Sequence, residues 1–130
     1  MNYVLGYLVG LDITARDIQS VMKKNRWPWS IAKGFDTFAP ISNVILKEKI
    51  KNPMDLEITL KVNGKIRQSS NTNNMIFSIG EIIEFISNVM TLEPGDLIMT
   101  GTPEGVDEIV SGDMLEAKLG DICFLKVDVK

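Results

Sequence analysis

A β-rich α+β domain is the fold class this sequence predicts, and three observations carry it. Leu56 to Val62 alternates apolar and polar residues and is followed by Asn63-Gly64, a strand running into a tight hairpin turn. Ser78-Ile79-Gly80-Glu81 is a capping box ahead of an apolar stripe at helical spacing. After Pro94 the chain alternates turn signals with short apolar runs, the pattern of further strands.

Taken in order, residues 3–11 are an apolar run that predicts a buried strand. Thr14 with Asp17 three residues on predicts an N-cap and an acidic first turn, with Ile18, Val21 and Met22 as the buried face of a short helix. Trp27-Pro28-Trp29 ends that helix, because proline disfavours helical geometry in the residue before it. Lys65 to Ser70 returns antiparallel to the strand at 56–62. The second helix carries Ile79, Ile82, Ile83, Ile86, Val89 and Met90 on one face. Pro94-Gly95-Asp96 turns into a strand at Leu97 to Thr100, and Ser111-Gly112-Asp113 turns into strands at Met114 to Leu119 and Ile122 to Val129. Trp27 and Trp29 are expected in the core or a dimer interface, and Cys123 as a small buried hydrophobe.

The bulk numbers narrow the function classes. The chain has 130 residues, one domain's worth, with 45% hydrophobic and 24% charged residues. Its net charge of −3 and the lack of a basic stripe argue against a nucleic-acid partner. The apolar start MNYVLGYLVGLD lacks a basic leader, and Asp12 interrupts it too early for a membrane span. One cysteine makes no intrachain disulfide, which fits a reducing compartment, and a cytoplasmic location is the expectation.

Several residues have the chemistry of a site. Asp12 follows the first apolar run, where a carboxylate either caps the next helix or offers a hard oxygen to a divalent ion. Lys33 is either a solvated lysine or a fixed positive charge able to balance an enolate. Arg16 and Gln19 lie three residues apart on one helix face. Arg16 serves equally well as a structural anchor or a ligand contact. Thr102, between Gly101 and Pro103 and followed by Gly105, sits either in a plain turn or in a loop that meets a carboxylate. Glu104 and Asp107 read as solvated loop charges.

Five segments together go further than these residues singly: GLDITARDIQ (residues 10–19), AKGFDTFAP (32–40), KVNGKIRQ (61–68), TNNMIFSIGEIIEFIS (72–87) and LEPGDLIMTGTPEGV (92–106). With them the chain resembles the fumarylacetoacetate hydrolase family, in its fumarylpyruvate and acylpyruvate hydrolase branch, over essentially its whole length. The resemblance implies a mixed β-sandwich roll, truncated on its N-terminal side, that forms a homodimer. It implies metal-dependent hydrolysis of the C–C bond of a 1,3-dicarbonyl substrate, or decarboxylation of a β-keto acid. It assigns Asp12 as a ligand to Mg²⁺ (Mn²⁺ or Ca²⁺ as substitutes), Lys33 to catalysis, and Gln19, Thr102 and, less specifically, Arg16 to substrate. Thr37 is a weaker candidate near the metal, and Lys23 stands where the family sometimes has a tyrosine.

The chain contains no histidine. The family's His/Glu pair and Glu-x-Glu ligands are expected upstream of residue 1, on the same polypeptide or on a partner chain. The alternative is an inactive binding or dimerisation module that keeps the fold.

Overall fold

The computed structural model describes residues 2–130. Its larger sheet has four antiparallel strands in the order β4-β3-β5-β6, where β3 is Glu57–Val62, β4 Lys65–Asn71, β5 Met114–Leu119 and β6 Cys123–Asp128. The β3–β4 hairpin follows from its turn: Asn63 and Gly64 have φ of 51° and 76°, the positive pair that matches the strands' twist. A bulge lies between Leu60 and Lys61 in the ladder, where Leu60 faces Gln68 but Lys61 faces Ile66, leaving Arg67 as the extra residue.

Alternation along the strands gives this sheet one apolar face. Val62, Leu115, Ala117, Leu119 and Cys123 are buried there, with Ile58, Leu60, Leu125 and Val127 packed around them. Val9 and Leu11 from the N-terminal segment complete this core. That segment runs antiparallel to residues 38–47 through Leu11 N to Pro40 O (3.0 Å), Ile13 N to Phe38 O (2.9 Å) and Ser42 N to Val9 O (2.9 Å). Regular pairing is confined to β1 (Gly6–Tyr7) and β2 (Ile45–Leu46). The strand expected over 3–11 is therefore extended but ladder-paired only in part, and Pro40, with no N–H to give, stands inside the opposing segment. Ser42 Oγ ties the layers, accepting from Val9 N at 3.2 Å and lying 2.8 Å from Cys123 Sγ.

Helix α1 spans Arg16–Asn25 and α3 spans Ile79–Ser87, with a single turn, α2, at Ser30–Lys33. The capping box forms as expected: Glu81 N donates to Ser78 Oγ and Ser78 N to Glu81 Oε2. The α3 stripe is less covered than its pattern suggests, since Ile82, Ile83 and Ile86 are half-buried while Val89 and Met90 are exposed. At α1 the N-cap is Ala15, not Thr14, and no side chain caps it. The buried face also turns: Gln19 is buried and Val21 is exposed, because the face carrying Ile18, Gln19 and Met22 is the one that packs. The helix ends at Asn25, with Arg26 left-handed (φ 58°) and Trp27 N bonded to Met22 O. Trp27 and Trp29 are 55% and 44% exposed, so neither belongs to this chain's own core.

Leu97 to Thr100, expected as a strand, has no ladder partner among the described residues. Its residues are extended-type by composition, but a strand needs a neighbour to hydrogen-bond.

Leu115 is the largest fully buried side chain. Leu115→Ala is expected to destabilise the fold by about 2–5 kcal/mol, read from the urea midpoint at unchanged slope.

Candidate functional site

The sheet's apolar face, the end of the N-terminal segment and the loop 101–109 enclose a groove of about 710 Å³. Asp12, Thr14 and Arg16 line one wall; Thr102, Gly105 and Gln68 line the other. Leu60, Leu115 and Ala117 are among the apolar residues at its floor.

The first wall is assembled by a backbone contact. Ala15 N donates to Ala32 O at 2.9 Å, which sets α2 beside residues 12–15. Lys33, last residue of α2, then reaches back: its Nζ lies 2.5 Å from Asp12 Oδ2 and 3.1 Å from Thr14 Oγ1. The Thr14 hydroxyl in turn donates to the Asp12 carbonyl at 3.2 Å. This explains the missing N-cap, because Thr14's oxygen serves the ammonium instead of the helix. Asp12 and Lys33 are 44% and 33% exposed, so the pair is a solvent-screened ion pair that adds at most about 1 kcal/mol to stability. Its value lies in geometry: a carboxylate and a cation held together at the rim of an apolar groove.

Asp12, Arg16 and Thr102 face one groove, whereas Lys33 and Gln19 are not in its lining. Lys33 is connected to it through Asp12 and Thr14. Gln19 is 6% exposed, and its side chain hydrogen-bonds to no other residue among those described. Arg16 forms no ion pair among the described residues, so the anchoring role open to it is not seen. Thr37 is exposed at φ 69°, a left-handed conformation that costs a β-branched residue about 1–2 kcal/mol. It lies outside the groove lining.

The second wall is a loop clamped to the edge strand β4. Gln68 Nε2 donates to Thr102 Oγ1 at 2.9 Å and to Pro103 O at 2.8 Å. Arg67 pairs with Asp107, and Gly105 (φ 96°) packs so closely that a Cβ there would overlap the Arg67 carbonyl oxygen. Asp107 is a solvated loop charge, as its sequence context suggested, with its side chain 59% exposed, and it also pairs with Arg67. The backbone N–H of Glu108, then Arg67, hold its carboxyl below the usual carboxylate range. Asp113 is lowered likewise by the Val110 N–H and by Asn63, whose amide donates to it at 2.7 Å. Sequence reading missed Gln68 and Arg67. Their only signal was the end of KVNGKIRQ, and the bulge that aims them is a matter of pairing register.

A metal site does not close within the described residues. Among the described residues no three His, Cys, Asp or Glu side chains converge, and one Asp12 oxygen already faces Lys33. Asp12 offers at most one ligand.

The fold and groove define a β-rich domain with polar groups facing each other across an apolar floor, and comparison with known proteins identifies it. The profile described as Fumarylacetoacetate (FAA) hydrolase C-terminal matches residues 1–130. The chain is 48% identical over 130 residues to the mitochondrial oxaloacetate tautomerase of Mus musculus, covering all of this chain and 59% of that one. It is 49% identical over 116 residues to the mitochondrial oxaloacetate decarboxylase of Dictyostelium discoideum, covering 89% of this chain and 53% of that one. The crystal structure of fumarylpyruvate hydrolase from Pseudomonas aeruginosa in complex with Mn²⁺ and pyruvate superposes with a TM-score of 0.93 at 39% identity, over 97% of this chain and 54% of that one. The chain belongs to the fumarylacetoacetate hydrolase family. It spans somewhat more than half the length of the curated relatives it matches. No helix among the described residues is long and apolar enough to cross a membrane.

Two outcomes follow for the loop. Gly105→Ala is expected to cost roughly 1–3 kcal/mol in chemical denaturation, through both positive φ and overlap with Arg67. The depressed Asp107 and Asp113 contribute stability above their unfolded pKa, and this is lost as pH falls through their lower folded values. Asp113→Asn should therefore flatten the acid limb of a stability-versus-pH curve below about pH 4; an unchanged acid limb would show that its bonds do not form in solution.

Proposed function

We propose that this chain contributes one side of an active site acting on a small 1,3-dicarbonyl or β-keto acid. The reactions are hydrolysis of the C–C bond in an acylpyruvate-like compound or loss of CO₂ from a β-keto acid. The observation that carries this reading is the Asp12–Lys33 pair at the rim of the groove, opposite Thr102, in a chain about half identical to an oxaloacetate tautomerase and an oxaloacetate decarboxylase.

In each reaction negative charge builds on an oxygen as an enolate forms. Lys33 holds a positive charge beside Asp12 where such an oxygen can be balanced. Thr102 offers a hydroxyl to the substrate carboxylate from the other wall. A divalent ion held by Asp12, with its remaining ligands from outside the described residues, would add Lewis-acid polarisation of the paired oxygens. Of the two branches, decarboxylation asks less of the site, since it needs an electron sink but no activated water.

The reading includes further polypeptide, upstream on the same chain or on a partner, that covers the groove. The chain exposes 9543 Å², whereas a self-contained monomer of its mass exposes about 6,900 Å². The surplus of about 2,600 Å² is on the scale of an obligate interface. Large apolar side chains contribute to the exposed surface: Leu97, Met99, Val106 and Phe85 are all 44% exposed or more.

The test is oxaloacetate loss, followed by ultraviolet absorbance with Mg²⁺ present. The chain is assayed alone and mixed with a polypeptide corresponding to the part of the mouse tautomerase that it does not match. Turnover in the mixture, reduced about 100-fold by Asp12→Ala and by Lys33→Met, is the expected result. A stable complex no faster than Mg²⁺ with inert protein would favour a non-catalytic binding module, and absence of any complex would defeat the idea of a shared site.

A further inference from the structure

Gln68 is the buried polar side chain with the most partners in the chain's second wall. It is 9% exposed, and its Nε2 lies 2.8 Å from Pro103 O, 2.9 Å from Thr102 Oγ1 and 3.3 Å from Glu104 O. Two of these partners are backbone carbonyls, which only accept. The amide atom beside them is therefore the nitrogen, whichever way a glutamine end is drawn. Polarity at the third partner follows: Thr102's hydroxyl accepts from Gln68.

A hydroxyl has a single hydrogen to give. With its oxygen engaged by Gln68, Thr102 must direct that hydrogen elsewhere. Among the described residues it donates to no protein acceptor, and Thr102 lines the groove. We propose that Gln68 is a positioning residue that pins loop 101–105 to β4 and presents Thr102 as a hydrogen-bond donor to the carboxylate of the substrate.

The placement is local and specific. The bulge at Arg67 sets Gln68 opposite Leu60 while its end reaches across to the loop. Gly105 against the Arg67 carbonyl and the Arg67–Asp107 pair hold the loop's far side. Only an uncharged donor of this length suits the position. A glutamate would set its charge against two carbonyl oxygens and draw the Thr102 hydrogen to itself, turning the hydroxyl away from any ligand. The identity of the ligand rests on the function proposed above; the clamp on the loop does not.

The test uses Gln68→Met, which keeps the length and removes both donors. Without ligand, ¹⁵N order parameters of the Gly101–Gly105 amides should fall below about 0.6, while those of β3 and β5 stay near 0.85. Unchanged loop order would overturn the clamp. Should Gln68→Met not fold, a scalar coupling across the hydrogen bond from Gln68 Nε2 to the Pro103 carbonyl carbon decides the matter in the unaltered chain, and its absence counts equally against it.

Pyruvate titration with Mg²⁺ into the chain complexed with the polypeptide that completes the groove, followed by the chain's amide shifts, tests the second half. Gln68→Met is expected to weaken binding about tenfold, the scale of one charge-assisted hydrogen bond. In a Thr102→Val background the same change should have little further effect, because the two residues act through one hydroxyl. Equal weakening in both backgrounds would mean a merely structural role and would overturn the proposal. A complex of the unaltered chain with that polypeptide that takes up no pyruvate would defeat the functional reading and the ligand role with it, while the loop's order parameters still decide the clamp.

Discussion

Burial of the inner face of β5 beneath Val9 and Leu11 is the contact on which the other features depend. Leu115, Ala117 and Leu119 project from a strand paired on both sides, and the N-terminal segment lies across them. That segment has few ladder bonds of its own, so apolar packing does most to hold it. Asp12 lies between Leu11, buried in this core, and Ile13, packed against it, so the core holds the chain on both sides of the carboxylate. Lys33 is brought to it by one backbone bond, Ala15 to Ala32, and two side-chain contacts.

The two walls of the groove are built on different principles. The Asp12 wall is an electrostatic arrangement in partly exposed surroundings, where an ion pair adds little stability but fixes relative position. The Thr102 wall is a steric and hydrogen-bonded clamp, with a glycine pressed on a carbonyl and a buried amide spanning three loop acceptors. Between them lies an apolar floor that a domain of this size would normally cover. An open apolar floor between two polar walls is half of a desolvated site. Desolvation is what would give Lys33 and Thr102 their leverage over a developing charge.

Much of the fold was legible because its signals are local. Asn63-Gly64 demands positive φ at two successive residues, and the hairpin follows whatever surrounds it. Ser78 and Glu81 satisfy each other's backbone N–H groups within one turn of helix. The failures were all non-local. Leu97 to Thr100 has strand composition but no partner to pair with. Thr14 has capping chemistry, yet a lysine nineteen residues away claims its hydroxyl. Val21 sits at the right spacing for a core face, but the neighbouring segments cover the face that carries Gln19.

The sequence by itself determined the family, the hairpin, the capped helix and the types of residue at the site, because turn geometry, capping and motif strings are written over a few consecutive positions. Tertiary structure alone decided which of those residues meet. It joined Asp12 to Lys33 across twenty-one positions and Gln68 to Thr102 across thirty-four, and it left Lys33 and Gln19 out of the groove's lining. It also set the Thr102 oxygen as an acceptor from Gln68. The reason is physical: a hydrogen bond's direction and a side chain's burial are properties of the partner as much as of the residue, and the partner is chosen by strand register and packing.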